Sequence, residues 1–283
     1  MKIGFCLLLW TPHVTMEHVS IIRDLKRAGY DGVEIPIFDG TPDHYARLGE
    51  LLDKEGLGRT AVSAIGPSGK NPLSPDKAAR LAGADYVKRV IDCTAALGAE
   101  TLGGHMLSEI GYFTGAAPTA AERKRALSFA RQMGDHAAKK NVRLALEALN
   151  RFECYLFNTM EQLVSIVEEA DHPAVKGMYD TFHANIEEKD PAGAIKTIEK
   201  HMIHVHISEN DRGTPGRGHV PWAATYKALR AAKYDGWLTI EAFGRAMPAL
   251  AAATRVWRDF FPNREQVYRE GLRNIKAGLA AKA

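Results

Sequence analysis

Short apolar runs alternate with longer amphipathic stretches along the whole chain. The runs Ile3–Leu9, Gly32–Phe38, Thr60–Ile65, Glu100–His105, Val142–Leu149, Val175–Thr181, Ile203–Ser208 and Trp237–Phe243 predict strands. They are apolar along most of their length, the pattern of strands covered on both faces. Between them the spacing predicts helices over Met16–Ala28, Asp43–Lys54, Asp76–Leu97, Thr119–Lys139, Thr159–Ala170, Pro191–Lys200 and Pro221–Ala232. Two more, near Ala246–Asp259 and Arg264–Ala280, close the chain. Gly29 and Gly98 stand where helices should stop, and Thr119 with Glu122 three residues on reads as a capping box. Gly103-Gly104 marks a place of close backbone approach. Eight strand–helix units predict an α/β fold, a closed parallel (β/α)8 barrel in one domain over 1–283, with an extra C-terminal helix.

Composition narrows this little. Hydrophobic residues make up 46% and charged residues 25% of 283, which is enough for one sizeable core. The net charge of +3 is spread along the chain without a Lys/Arg block, so no nucleic-acid partner is expected. Cys6, Cys93 and Cys154 lie far apart with no CxxC pair, which argues against disulfides and zinc ribbons and for a reducing, cytoplasmic setting. Met1–Trp10 is too short for a signal segment, and no apolar run of about 18 residues predicts a membrane span.

The chemistry shows as interruptions in four strand-like runs: Glu147, Asp180, His206 and Glu241. A carboxylate buried in such a run must be paired, protonated or bound to a cation. The intervals are 33 residues (147 to 180), 26 (180 to 206) and 35 (206 to 241). A barrel spends about 31 residues per strand–helix unit, so the four fall on consecutive strands near their C-terminal ends, where barrel active sites are built. Three carboxylates and one imidazole suit one divalent ion per subunit, Mn2+ first, with Mg2+ or Co2+ as alternatives. A single Glu or Asp at a strand end could instead bind a loop amide or an arginine. Four in consecutive units are harder to explain without a metal.

Several longer motifs resemble the ketose 3-epimerases (the D-tagatose 3-epimerase and D-psicose 3-epimerase family) within the xylose-isomerase-like TIM barrels. They are Asn150-Arg151-Phe152-Glu153, Asp180-Thr181-Phe182-His183 running on to Asn185-Ile186-Glu187-Glu188, His204-Val205-His206 with Glu209-Asn210, Pro215-Gly216 with Pro221-Trp222, Val256-Trp257-Arg258-Asp259, and Ser74-Pro75-Asp76-Lys77. The resemblance implies an isomerase whose metal ligands are those four residues, with Glu147 and Glu241 as the acid–base pair. It implies that Glu153, His183 and Arg212 hold the O1–O2–O3 end of a free ketose, and that Cys6, Ile65 and His105 form the sugar-facing wall. The stretch His105–Phe113 departs from the aromatic-rich segment of the family. The family is usually dimeric or tetrameric, so a homo-oligomer is expected.

Plainer readings stand beside these. His183 could order a loop, Glu153 could pair with Arg151, and Arg212 could be a solvated loop charge with Arg217 as its rival. His105 could be a satisfied core histidine. Cys93 and Cys154 read as packing residues, and Trp222, Trp237 and Trp257 as core or interface aromatics. Gly66–Lys70 lacks Walker spacing. The Arg212–Arg217 segment could cradle an anion, which keeps a phosphorylated ketose open. The rivals in function are an aldose–ketose isomerase of the hydroxypyruvate isomerase kind, a catalytically silent sugar-binding barrel, and an endonuclease IV-like phosphodiesterase, whose extra histidine ligands have no place here.

Overall fold

A computed structural model describes residues 1–281. The strands are β1 (Lys2–Cys6), β2 (Gly32–Pro36), β3 (Gly58–Val62), β4 (Thr101–Gly104), β5 (Arg143–Leu146), β6 (Val175–Asp180), β7 (Met202–Ile207) and β8 (Trp237–Ile240). Neighbours in sequence pair in parallel, and β8 closes on β1 with Gly4 opposite Thr239. The helices are α1 (Val19–Ala28), α2 (Pro42–Glu55), α3 (Lys77–Ala96), α4 (Ala120–Lys139), α5 (Met160–Ala170), α6 (Thr181–Glu187), α7 (Pro191–Ile198), α8 (Trp222–Ala231), α9 (Pro248–Thr254) and α10 (Arg264–Ala280). None of the described helices is long and apolar enough to cross a membrane.

The two sides of each strand have different company. Ile3, Phe5, Val33, Ile35, Tyr179, Val205, Ile207, Leu238 and Ile240 join the large apolar core shared with the helices. The alternate positions face the barrel axis. At the floor the Trp237 ring lies across the barrel, and Gly32 and Gly58 leave the room: a Cβ at either would come 2.6 or 2.7 Å from the indole. At the other end Gly104 (φ +118°) lets β4 pass so close to β3 that a Cβ would collide with the Ser63 carbonyl. This is the close approach expected of the Gly103-Gly104 pair.

Element order follows the apolar pattern, whereas several boundaries move. Strand 1 stops at Cys6, because Leu7–Leu9 coils into a 3-10 turn. Strand 3 runs Gly58–Val62 instead of Thr60–Ile65. Strands 5 and 8 end at Leu146 and Ile240, earlier than their apolar runs, because Ala148, Leu149, Ala242 and Phe243 are buried in the mouth loops. The penultimate helix shrinks to Pro248–Thr254, started by a proline and ended by Arg255 in a left-handed turn. An additional helix, α6, follows β6 directly, with Asp180 as its cap. Thr119 and Glu122 form the expected capping box, and Thr159 forms another with Gln162.

Candidate active site

The four interrupting residues meet at the C-terminal mouth. Glu147 and Glu241 lie one residue past their strands, yet each still extends the ladder. Glu147 N–H donates to Gly104 O and Glu241 N–H to Ile207 O, both at 3.2 Å. Asp180 ends β6, and its Oδ1 accepts the Phe182 N–H at 2.7 Å, which fixes the carboxylate at the helix start. His206 sits inside β7. All four are buried.

His206 Nδ1 is the centre of the group. It lies 3.5 Å from Glu241 Oε1, and 3.9 Å from both Glu147 Oε1 and Asp180 Oδ2. It is buried and has no hydrogen-bond partner. Two overlapping sets, Asp180–His206–Glu241 and Glu147–Asp180–His183, each bring donor atoms within 4.8 Å of one another. An unpartnered buried nitrogen facing three carboxylates fits a hard or borderline divalent cation. Burial and Asp180 push the Glu147 carboxyl well above the usual range. Asp180 is also raised by burial, against the pull of Arg212. Burial would raise Glu241 too, but His206 and Arg212 outweigh it and hold that carboxyl low. Paired carboxyls with opposite shifts are what acid–base exchange requires.

Arg212 is no solvated loop charge. Its φ of +64° turns the side chain inward from the loop after β7. Nη1 donates to Glu241 Oε2 at 2.8 Å and Asp180 Oδ2 at 3.2 Å, and the guanidinium lies 3.7 Å over the Phe182 ring. Its rival Arg217 pairs at the surface with Glu270. His183 Nδ1 accepts the Asn150 backbone N–H at 2.9 Å. Its Nε2 lies 2.9 Å from Arg212 Nη2, 3.7 Å from Glu147 Oε1 and 3.8 Å from Asp180 Oδ2. Burial and Arg212 push its pKa well down, so the ring is neutral. Glu153 does not pair with Arg151. Its Oε1 accepts Asn150 Nδ2–H at 2.8 Å, while Arg151 pairs with Glu187.

The expected wall is buried but not uniform. Cys6 packs with Leu8, Val62 and Phe243. Burial and then Glu34 raise its thiol pKa, so it stays protonated. Ile65 belongs to the main core, and its carbonyl accepts the Ile110 N–H at 2.8 Å. His105 differs, because both ring nitrogens are spent. Nδ1 donates to Glu147 O at 3.0 Å, and Nε2 lies 2.6 Å from Ser108 Oγ and 3.4 Å from Cys154 Sγ. It braces the backbone of Glu147 and offers no nitrogen to a sugar. Cys154 is therefore more than packing: burial raises its pKa, but His105 brings it down to about 7.

Two buried carboxylates escaped the pattern reading. Glu34 in β2 accepts from His206 Nε2 and Thr60 Oγ1, both at 2.8 Å. Its run Gly-Val-Glu-Ile-Pro carried the same signal as the other four, a charge inside an apolar strand. Glu209 anchors the loop that bears Arg212; Glu209-Asn210 belongs to the resemblance motifs, but no apolar run around it marks it as buried.

A family profile described as xylose isomerase-like TIM barrel matches residues 22–278. A probable ketose 3-epimerase of Synechocystis sp. is 30% identical over 97% of this chain and 96% of its own length. The D-psicose 3-epimerase of Ruminiclostridium cellulolyticum is 33% identical, over 92% of this chain and 89% of its own. Among solved structures, the D-allulose 3-epimerase of Methylomonas sp. in complex with D-allulose superposes with a TM-score of 0.91 at 27% identity, covering 98% of this chain and 96% of that one. With this barrel and these relatives, the chain belongs to the xylose isomerase-like TIM barrel family and is an epimerase of its ketose 3-epimerase group.

Proposed function

We propose that the protein epimerises unphosphorylated ketoses at C3, of the D-tagatose, D-fructose/D-allulose or L-ribulose type, with one divalent ion per subunit. The observation that carries this is the unpartnered His206 Nδ1 facing the three carboxylates. Glu147, Asp180, His206 and Glu241 would hold the ion, Mn2+ first and Mg2+ or Co2+ in the same place. Once bound, such an ion supplies Lewis-acid stabilisation of negative charge developing on O2 and O3 of the sugar.

The chain's own residues do the rest. One glutamate takes the proton from C3, and the C–H electron pair moves into the C2–C3 bond, leaving an enediolate. The other glutamate returns a proton to the opposite face of C3. Glu147 and Glu241 come from the ends of strands 5 and 8 and can face each other across the bound sugar. The roles reverse for the other epimer. His183, neutral and paired with Arg212, hydrogen-bonds the carbonyl end. Arg212 adds positive charge there, and Glu153 accepts from a hydroxyl. Cys6 and Ile65 close the apolar side, with His105 acting through Glu147.

Three arginines of the mouth loops favour an uncharged substrate. Arg151, Arg217 and Arg245 are paired with Glu187, Glu270 and Asp259, which leaves these cations engaged rather than open to a phosphate. The free, buried Cys6, Cys93 and Cys154 suit a reducing cytoplasm, and exposed Phe152 and Trp257 suit a contact between copies.

The test is incubation with Mn2+ and a panel of D-fructose, D-tagatose, D-allulose and L-ribulose in D2O. Deuterium should enter at C3 of at least one sugar. Exchange at C1 or C2 would identify an aldose–ketose isomerase, and binding without exchange a silent sugar-binding barrel.

A further inference from the structure

Glu34 is fully buried and lies across the barrel from the histidine it meets. β2 and β7 share no ladder, so the contact between Glu34 Oε1 and His206 Nε2, 2.8 Å, runs through the barrel interior. The second oxygen is held as firmly. Thr60 Oγ1 donates to Oε2 at 2.8 Å, and His204 Nε2 lies 2.8 Å from the same atom. The two imidazoles stand edge to face, with ring centroids 5.1 Å apart. A carboxylate this deep is costly, and an apolar side chain would pack the space more cheaply. Its value must lie in what it does to a neighbour.

That neighbour has two nitrogens and a choice of which one bears the proton. A metal ligand must be the neutral ring, and a carboxylate can only accept, so Glu34 keeps the proton of that neutral ring on Nε2. Nδ1 is left as a lone pair. We infer that Glu34 is a positioning residue, locked by Thr60 and His204, which fixes the His206 ring and tautomer so that Nδ1 faces the Glu147–Asp180–Glu241 cluster. This rests on the metal reading above. A metal-ligating histidine held by a carboxylate on its other nitrogen is both oriented and made more basic, and losing that partner costs about 10- to 100-fold in metal affinity.

The test is the calorimetric Kd for Mn2+ on the full chain, wild type against Glu34→Gln, beside the Tm of the metal-free proteins. An amide of the same shape can accept through one oxygen only, and its NH2 can present a donor to His206. E34Q should bind Mn2+ about 10- to 100-fold more weakly. At saturating Mn2+ its KM for the ketose should stay within about threefold, since Glu34 touches no sugar. Glu34→Asp, which keeps the charge but shortens the reach, should lie between the two. If E34Q does not fold, Thr60→Val removes one anchor and should weaken Mn2+ by a few-fold. An unchanged Kd in whichever variant folds, with or without a lower metal-free Tm, overturns the inference and leaves Glu34 a packing residue. A wild-type chain that takes up no Mn2+ overturns the metal reading, and this inference with it.

Discussion

Glu147 and Glu209 invite comparison. Both are buried glutamates, one or two residues beyond the end of a barrel strand. Around Glu209, four N–H groups converge: Gly216 N at 2.8 Å, Trp222 Nε1 at 2.9 Å, and Asn210 N and Val220 N at 3.1 Å. Around Glu147 the forces are burial and charge, with Asp180 and Glu241 raising its pKa and His206 and Arg212 lowering it. The first carboxylate is a bolt that closes the loop carrying Arg212. The second has its charge opposed by its own neighbours. Burial alone therefore does not mark a catalytic carboxylate. What sets Glu147 apart from Glu209 is burial without a hydrogen-bond donor to its carboxylate.

The largest effects should separate the two by kind. Glu147→Gln keeps the shape and removes a proton carrier, so C3 exchange should fall by about 10²- to 10⁴-fold. The Tm of the metal-free chain should hold or rise, because one charge leaves a crowd of carboxylates. Glu209→Gln should do the reverse. The amide NH2 would face two N–H donors, costing on the order of 3 kcal/mol in unfolding free energy. Exchange per folded molecule should drop less than about tenfold, since general acid–base transfer is intact. Equal loss of exchange in both variants, with no loss of Tm in E209Q, would break the comparison.

A smaller effect sharpens it. Mn2+ at about one hundred times its Kd should raise the unfolding free energy of the wild-type chain by about 2.7 kcal/mol. E209Q should gain the same increment at the same multiple of Kd and with a similar Kd. E147Q, having lost a ligand oxygen's charge, should need more Mn2+ to reach it. Titrating the metal while following Tm gives all three curves. A Kd that moves in E209Q and not in E147Q would exchange the two assignments.

The difference between these glutamates also shows what was legible beforehand. Strand order, barrel closure and the four mouth residues follow from apolar runs broken at intervals of about one strand–helix unit. Glu34 was equally legible, since β2 carries a charge in an apolar strand, but it lies below the mouth, outside the strand-end pattern used to find the others. The anchoring role of Glu209 was not legible, although Glu209-Asn210 is one of the resemblance motifs, because its donors come from Gly216, Val220 and Trp222, brought back by a loop whose shape is tertiary. The same holds for His105. Whether its nitrogens were free depended on Ser108 and Cys154, and Cys154 arrives from a different loop. Strand ends were misplaced at Glu147 and Glu241 because buried mouth loops continue an apolar run after pairing has stopped.

The smallest effect sets Glu147 against Glu241, its partner in the proposed proton exchange. In the unfolded chain both Glu147 and Glu241 titrate in the ordinary carboxylate range. In the metal-free fold Glu147 keeps its proton to higher pH, because burial and Asp180 raise it. Between those two pKa values the folded chain holds a proton that the unfolded chain has lost, so this group makes stability fall as pH rises. Glu241 runs the other way, since His206 and Arg212 overcome its burial and hold it low. Its stabilising contribution is present above the ordinary range and is lost as pH falls through its folded pKa. In EDTA, the Tm of E147Q relative to wild type should therefore climb as pH rises from about 4 toward neutrality. The Tm of E241Q relative to wild type should decline as pH rises toward the ordinary carboxylate value of 4.5, mostly below the range in which E147Q climbs. Parallel curves for the two variants would show that the metal-free site does not drive its two carboxyls apart.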